Sequence, residues 1–406
     1  MIKEVLYILL VTSVMACSST RNKANIITPA MNATENKTVN SSFSSENTRT
    51  NRAFWGRLLS EACNRTGKEN ICLSPLSAQL AMAMIASGAE GKTREEICDA
   101  LQLGEDANTR YRKLLDNLEN KYCEVKVANS IWIKERFDVK QEFINTNKEY
   151  LGALVERAEF NNETVKRINE WCKENTNGKI PSIIDSFNDS DRMILLNALY
   201  FNGKWDRPFK KEKTTQQRFT TEKGEVVKVP MMMLRANKSY YKDNVLTMTI
   251  KRYESGYSML LVLPNEGVKC DEAAEHLAKD FDTYLKAMEI RDLTLSLPKF
   301  KTNFSGSIKP ILTDLGIKRA FGSKAQFGGI SDKALYISDI VQKTYINVDE
   351  KGTEAAAVTM GRAGALSMRP PKTEIMTFDR PFIYAIINHN NDVLFIGKVG
   401  NPNVTD

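Results

Sequence analysis

EKGTEAAAVT, residues 350–359, continued by MGRAGALSMRPP to residue 371, is the stretch that decides the fold. Every second residue from Thr353 to Ala365 is small, and the two charged residues between them, Glu354 and Arg362, fall on the other face. A period of two is that of a β-strand, although alanine and glycine are poor strand formers. The composition alone favours a flexible surface loop, but such a loop could enter a crowded sheet without steric clashes.

Strand patterns flank this stretch on both sides. Tyr345–Val348 precedes it, and two apolar strands joined by a polar turn, Phe382–Ile387 and Val393–Val399, follow it. Apolar alternation or apolar runs predict further strands at Val125–Ile133, Met193–Phe201, Val226–Met233, Val245–Ile250, Tyr257–Leu263 and Leu293–Leu297. Apolar periodicity predicts helices at Arg52–Cys63, Pro75–Ser87, Thr93–Leu101, Asn162–Thr176 and Cys270–Met288, the third opening with a capping box from Thr93 to Glu96. Helices and strands mix without a βαβ rhythm, which indicates an α+β fold.

The end of the chain resembles the serpin family of serine protease inhibitors. The hinge at Glu350–Ala357 matches that family's hinge, and the closing strands match at Phe378, Pro381–Phe382, Phe395, Gly397–Val399 and Asn401–Pro402. Three earlier segments match in the expected order: NICLSPLSAQLAMAMIASGAEGKT at 70–93, LLNALYFNGKWDRPF at 195–209 and LPKFK at 297–301. The resemblance covers residues 51–405.

The resemblance implies a single serpin domain over residues 51–406. Its fold is α+β, with about nine helices packed around three β-sheets and an exposed reactive-centre loop. The large sheet is expected to have five strands while the loop is exposed, and to be metastable in that state.

The first 50 residues are expected to lie outside this domain. Residues 1–16 read as a signal peptide, because a short apolar run, Val5–Val14, leads to Met15-Ala16-Cys17. Small residues before a cysteine resemble a bacterial lipobox, which predicts that Cys17 is lipidated and anchors the protein to the cell envelope. Cleavage after Ala16 and secretion is the alternative. The Ser, Asn and Thr of residues 17–50 predict a disordered tether.

The family's pattern implies roles for particular residues. The loop hinge comprises Glu350, Gly352, Thr353, Glu354, Ala355, Ala356, Ala357 and Thr359, with Gly352 as the backbone pivot. The shutter, where strands must part, and the insertion point comprise Ser74, Ser77, Asn197, Trp205, Gln342 and Lys299, with Lys299 pairing to Glu350. Gln342 departs from the pattern, because the family usually carries a histidine there, and this leaves the bonding and the pH response of the shutter open.

The reactive bond is placed at Leu366–Ser367 by the family's spacing from the hinge. A leucine before this bond favours a chymotrypsin-, cathepsin G- or elastase-like target. Met368 is a second apolar candidate, and Arg362 could attract trypsin-like enzymes.

Composition and motifs exclude several other functions. The chain of 406 residues carries 57 Lys and Arg against 50 Asp and Glu, without a basic patch of the kind that binds nucleic acid. Its two histidines, His276 and His389, lie in solvent-facing patterns, and no hydrolase, phosphate-binding or metal motif is present. No enzyme activity, cofactor or metal is therefore expected.

The resemblance implies an inhibitor that a serine or cysteine endopeptidase attacks as a substrate, acting as a monomer. Two other roles remain open: a non-inhibitory carrier or chaperone, and a surface adhesin. Six cysteines remain beside Cys17, namely Cys63, Cys72, Cys98, Cys123, Cys172 and Cys270. Their positions favour mostly free thiols, and the sequence does not settle their pairing.

Overall fold

The computed structural model describes residues 43–104, 106–118, 123–254, 256–353 and 373–405. Within these ranges the chain forms nine α-helices, and the described residues belong to one compact unit. The helices are α1 Phe43–Thr66, α2 Pro75–Ala86, α3 Gly91–Leu101, α4 Ala107–Asp116, α5 Gln141–Leu151, α6 Asn162–Asn175, α7 Cys270–Lys279, α8 Phe281–Lys286 and α9 Lys309–Asp314.

Fifteen strands in the described residues build two hydrogen-bonded sheets. They are β1 Asn70–Leu73, β2 Cys123–Lys134, β3 Ala153–Ala158, β4 Met193–Lys204, β5 Thr215–Thr220, β6 Val226–Lys242, β7 Leu246–Arg252, β8 Ser258–Pro264, β9 Glu289–Pro298, β10 Phe300–Ser307, β11 Val341–Val348, β12 Gly352–Thr353, β13 Glu374–Thr377, β14 Phe382–Ile387 and β15 Val393–Val399. The α+β architecture predicted from the sequence is confirmed.

The resemblance implies three sheets, and the described residues form two because two of the expected sheets are joined into one of nine strands. Its order is β1-β15-β14-β8-β7-β6-β9-β13, and β5 pairs with the first part of β6. β6 is the link, because its residues 226–231 pair with β5, residues 231–240 with β9 and residues 240–242 with β7. The long strand therefore makes the two smaller sheets of the fold continuous.

The six-stranded sheet has the order β10-β11-β12-β4-β2-β3. It is the sheet that the family resemblance above calls the large sheet, and that name is kept here. The sequence analysis expected five strands here. The sixth is β12, a two-residue strand that lies between β11 and β4. The large sheet therefore already holds the first residues of the hinge.

Helix α2 contacts both sheets, through β4 of the large sheet and β15 of the other. All twelve of its residues are buried, which agrees with its apolar sequence on every side. The helix begins at Pro75, whose missing N–H costs nothing at this position. The preceding Ser74 is the N-cap, and its side chain accepts a hydrogen bond from the Ser77 N–H at 3.0 Å.

Three helix predictions were wrong in detail. Helix α1 begins at Phe43, nine residues before the predicted Arg52 and inside residues 17–50, which the sequence predicts to be a disordered tether. Helix α3 begins at Gly91, two residues before the predicted Thr93, and no side chain caps it. Thr93 instead accepts a hydrogen bond from the Gln326 N–H, and Glu96 accepts from the N–H groups of Lys318 and Arg319. The predicted helix from Cys270 to Met288 is interrupted at Asp280, where the backbone leaves the helical conformation.

Candidate functional site

The hinge strand β12 is formed by a tight turn after β11. The Asp349 N–H donates to the Gly352 carbonyl at 3.0 Å, and the Asp349 carboxylate accepts from the N–H groups of Lys351 and Gly352 at 2.8 and 3.2 Å. An aspartate that bonds the backbone two residues on is a common way to fix a turn. Asp349 therefore sends the chain back along β11, where Thr353 pairs with Val348.

The segment Trp205–Phe209, which follows β4, holds this turn from the other side. The N–H of Trp205 donates to the Lys351 carbonyl at 2.9 Å, and the N–H of Phe209 donates to the Glu350 carbonyl at 2.8 Å. The indole N–H of Trp205 donates to the Asp349 carbonyl at 3.0 Å. We call Trp205–Phe209 the hinge clamp, because three of its N–H groups bind three successive carbonyls.

Trp205 is fully buried and stacks on Tyr253, with 4.3 Å between the ring centroids. The hydroxyl of Tyr253 lies 2.7 Å from that of Thr353, whose side chain is also fully buried. Burial raises the pKa of Tyr253 well above its ordinary value, so the phenol stays protonated. The first inward-facing residue of the hinge is therefore already seated beneath the large sheet.

Gly352 is required at its position for a reason other than the predicted pivot. Its φ is not in the left-handed region. A Cβ at this position would lie 2.2 Å from the carbonyl oxygen of Gly203 on β4 and 2.9 Å from the Cα of Lys204. Both contacts are with backbone, which cannot move aside as a side chain does. The glycine therefore allows β12 to approach β4 closely enough to pair with it.

The ion pair implied by the resemblance between Glu350 and Lys299 is present, with 2.9 Å between Oε2 and Nζ. The other carboxylate oxygen accepts from the Thr214 hydroxyl at 2.9 Å. Burial favours the neutral acid, but these hydrogen bonds outweigh it and lower the pKa of Glu350. The carboxylate thus stays charged and ties the hinge to two other segments.

Gln342 binds the backbone of Ser74 on both sides of its amide. The Ser74 N–H donates to the side-chain oxygen, and the side-chain NH₂ donates to the Ser74 carbonyl, each at 2.9 Å. The Gln342 amide, which replaces the family's usual histidine, therefore bonds through both its oxygen and its nitrogen. It fastens β11 to the N-cap of α2. Amides and hydroxyls do not titrate near neutral pH, so this contact has no pH switch of its own.

Asn197 pairs with Gln342 across the sheet, but its side chain binds Asn129 and not Gln342. Its NH₂ group donates to the side-chain oxygen of Asn129 at 2.6 Å. Its own side-chain oxygen is buried without a hydrogen-bond partner among the described residues. β4 and β11 are therefore not linked through these two side chains.

β4 and β11 pair directly at two positions, Gln342 with Asn197 and Lys343 with Ala198. Towards the other end of β4, β12 pairs with Gly203 and Lys204 and so lies between the two strands. β12 thus separates β4 from β11 at Gly203 and Lys204, whereas β4 and β11 remain paired at Asn197 and Ala198.

Comparison with known proteins places this geometry in a family. The model of the family described as "Serpin (serine protease inhibitor)" matches residues 49–402. The chain belongs to the serpin family. Its relatives include a serpin-like protein of Thermococcus kodakarensis, 34% identical over 82% of this chain and 81% of its own length. They also include human alpha-1-antichymotrypsin, 31% identical over 82% of this chain and 83% of its own length.

Solved serpin structures share the fold over nearly the whole domain. The native state of the thermophilic serpin tengpin has a TM-score of 0.80 and 34% identity, covering 88% of this chain and 94% of tengpin. Thyroxine-binding globulin in complex with thyroxine has a TM-score of 0.77 and 26% identity, covering 87% of this chain and 99% of its own.

The structure brings most of the shutter and insertion-point residues of this serpin onto or beside the large sheet. Several other predicted residues lie outside the described residues: Cys17, Glu354, Ala355, Ala356, Ala357, Thr359, Leu366 and Ser367. Asp349, Tyr253 and Phe209 also contact the hinge and were not predicted from the sequence. The Asp-x-x-Gly spacing of 349–352 is a turn signal that could have pointed to Asp349, whereas the contacts of Tyr253 have no local signature.

Neither histidine forms part of the hinge. His276 Nε2 lies 2.6 Å from the Tyr284 hydroxyl and 3.4 Å from Asp243. Cys63, Cys72, Cys98, Cys123, Cys172 and Cys270 are free thiols. Over the described ranges, we find no helix long and apolar enough to cross a membrane and no cluster of side chains that could hold a metal ion.

Proposed function

We propose that this serpin is a suicide-substrate inhibitor of serine endopeptidases, with cysteine endopeptidases as further possible targets. The observation that carries the proposal is β12, which already lies between β4 and β11 at the point where the family's loop enters the sheet. The small residues at alternate positions after it can follow without a steric barrier. No catalytic group of its own is needed, because the target enzyme supplies the chemistry.

The target's serine hydroxyl attacks the carbonyl carbon of Leu366. The bond to Ser367 breaks, the new amino terminus takes the proton, and an acyl-enzyme remains on Leu366. Strand addition by serpin loops is known, and the residues between Gly352 and Leu366 span about 45 Å when extended. Insertion therefore carries the attached enzyme across the molecule before water completes hydrolysis, and distortion of its catalytic unit there stops turnover.

Insertion that continues the register of β12 would supply a partner for the unpaired oxygen of Asn197. Each further residue of an inserting strand moves one residue back along β4, from Thr353 opposite Gly203. Thr359 would then lie between Asn197 and Gln342, with its side chain on the same face as theirs. Its hydroxyl can donate to the Asn197 oxygen that is buried without a partner, which favours the inserted state.

The reactive bond is Leu366–Ser367, and the target is chymotrypsin-, cathepsin G- or elastase-like. An apolar residue before the bond suits a hydrophobic primary pocket, and the relative alpha-1-antichymotrypsin is named for such an enzyme. Mass spectrometry of the peptide released from a denatured complex tests this. A fragment that starts at Ser367 supports the assignment, whereas one that starts at Arg369 or Ala363 excludes it.

The inhibitory function is tested by mixing the protein with a panel of serine and cysteine endopeptidases and looking for a complex that survives SDS. Thr353→Arg and Ala355→Pro should greatly reduce the amount of this complex, although the target enzyme still cleaves the loop. Arginine would place a charge beside Tyr253 under the sheet, and proline lacks the N–H that a central strand donates. Thr353→Ser keeps the hydroxyl and serves as the control. Undiminished complex with both disruptive variants would refute insertion.

A non-inhibitory carrier is the second candidate, because the thyroxine complex of thyroxine-binding globulin shows a related fold holding a small molecule. The same panel separates the two functions. A carrier would be cleaved, or left intact, without any SDS-stable complex.

Lipidation of Cys17 would hold the inhibitor on a bacterial envelope through residues 17–50, and the lipobox-like Met15-Ala16-Cys17 supports it. Cys17→Ala should then move the protein from the membrane to the soluble fraction. A wild-type protein that is already soluble, whether it begins at an unmodified Cys17 or at Ser18 or later, would contradict the anchor and leave ordinary secretion.

A further inference from the structure

Lys251, the sixth residue of β7, is fully buried without a carboxylate partner among the described residues. The other lysine that is nearly as buried, Lys398, is held by both oxygens of Glu222 at 2.6 and 2.7 Å. Lys251 instead donates to the backbone carbonyl of Arg207. Burying an amine in this way costs free energy, because burial penalises its charged form.

The three contacts of Lys251 all fall on the hinge clamp. Its Nζ lies 4.7 Å from the ring centroid of Trp205 and 5.1 Å from that of Phe209. The carbonyl that accepts its hydrogen bond belongs to Arg207, midway between these two residues. Lys251 therefore touches the clamp at both ends and in the middle.

The clamp that contacts Lys251 also binds the hinge. The N–H groups of Trp205 and Phe209 donate to Lys351 and Glu350. A shift of the clamp would move these donors away from the carbonyls that they hold. A methionine at position 251 would fill the same space without the cost of burying an amine, but it would leave the Arg207 carbonyl without this donor.

We propose that Lys251 is a positioning residue for loop insertion, whose amine fixes the Trp205–Phe209 clamp so that the hinge strand enters the sheet in register. This inference rests on the proposed function. Among the described residues, the hydrogen-bond and ring contacts of the Lys251 amine lie in the clamp and not in β12. It acts through the clamp, and its loss should show as a looser clamp and slower insertion.

The groups that face Lys251 set its titration. They are Lys238 on β6 and Asp206 and Arg207 in the clamp. Burial, then the positive charge of Lys238, lowers the pKa of Lys251 well below its ordinary value, and Asp206 opposes this. Burial likewise lowers the pKa of Lys238 to about 8. Because the amine lies over the indole ring, its protonation should change the fluorescence of Trp205.

The first test follows tryptophan emission of the full chain against pH, with Trp205→Phe to identify the contribution of Trp205. We expect a titration with a midpoint below the ordinary lysine value, absent in Lys251→Met and Lys251→Arg. Lys238→Met should move the midpoint upward, because it removes a neighbouring positive charge. An emission profile that is the same in wild type and Lys251→Met would overturn the inference.

The second test measures insertion after the loop is cut, as the rate at which the protein becomes heat-resistant. Lys251→Met should slow this roughly five-fold, the factor that corresponds to one lost hydrogen bond. Lys251→Arg keeps a donor and should restore the rate, provided that circular dichroism shows it folded. A wild-type rate in Lys251→Met refutes the role of Lys251. If cut wild-type protein gains no heat resistance, the proposed function fails instead.

Discussion

Glu350 shows how one side chain can fix the start of the hinge. It binds Lys299 and Thr214, and its backbone carbonyl accepts from Phe209. We expect Glu350→Gln to lower the free energy of unfolding by about 1 kcal/mol at neutral pH, a figure reduced for the partial exposure of Lys299. Urea unfolding of the two proteins measures the difference.

The pH dependence follows from the lowered pKa of Glu350. The folded state holds this proton less tightly than the unfolded chain, so the stabilisation is present above the ordinary value of 4.5 and is lost as the pH falls through the folded-state pKa. Wild type and Glu350→Gln should therefore converge in acid. Asp138→Asn, which breaks the exposed pair with Lys333, is the matched control and should change little at any pH.

Single residues also show what sequence can and cannot predict. The Glu350–Lys299 pair was anticipated because the two residues lie in recognisable family segments. The bonding of Gln342 was not, since it depends on the backbone of Ser74, 268 residues earlier in the chain. The role of Gly352 was anticipated for the wrong reason, because the collision that it avoids is with a strand that is distant in sequence.

At the level of elements, β12 depends on close backbone contact. Gly352→Ala should push β12 out of the large sheet, because the added methyl group would meet the Gly203 carbonyl oxygen. Hydrogen exchange should then accelerate at the N–H groups of Trp205 and Phe209, which lose their acceptors. Gly322→Ala is the control, since a Cβ there meets nothing within 4 Å. Unchanged exchange in Gly352→Ala would show that β12 is not held by this approach.

The elements that were predicted well are those with strong local patterns. The apolar sequence of α2, the alternation in β2 and the apolar runs of β4 and β8 marked their positions to within a few residues. The start of α3 was misplaced because Thr93 and Glu96, which have the spacing of a capping box, bind backbone more than 200 residues away. Tertiary contacts of this kind leave no trace in a local pattern.

The whole molecule is expected to change state once, when the reactive loop is cut. Insertion adds a strand between β4 and β11, supplies backbone partners along both strands, and gives Asn197 a donor. If this adds on the order of 5 kcal/mol, the unfolding midpoint of a domain of this size should rise by about 5–10 °C. Calorimetry of intact and loop-cut protein measures the change, and uncut protein incubated in the same buffer is the control. An unchanged midpoint would mark a serpin that does not insert its loop, and the carrier function would then be the better explanation.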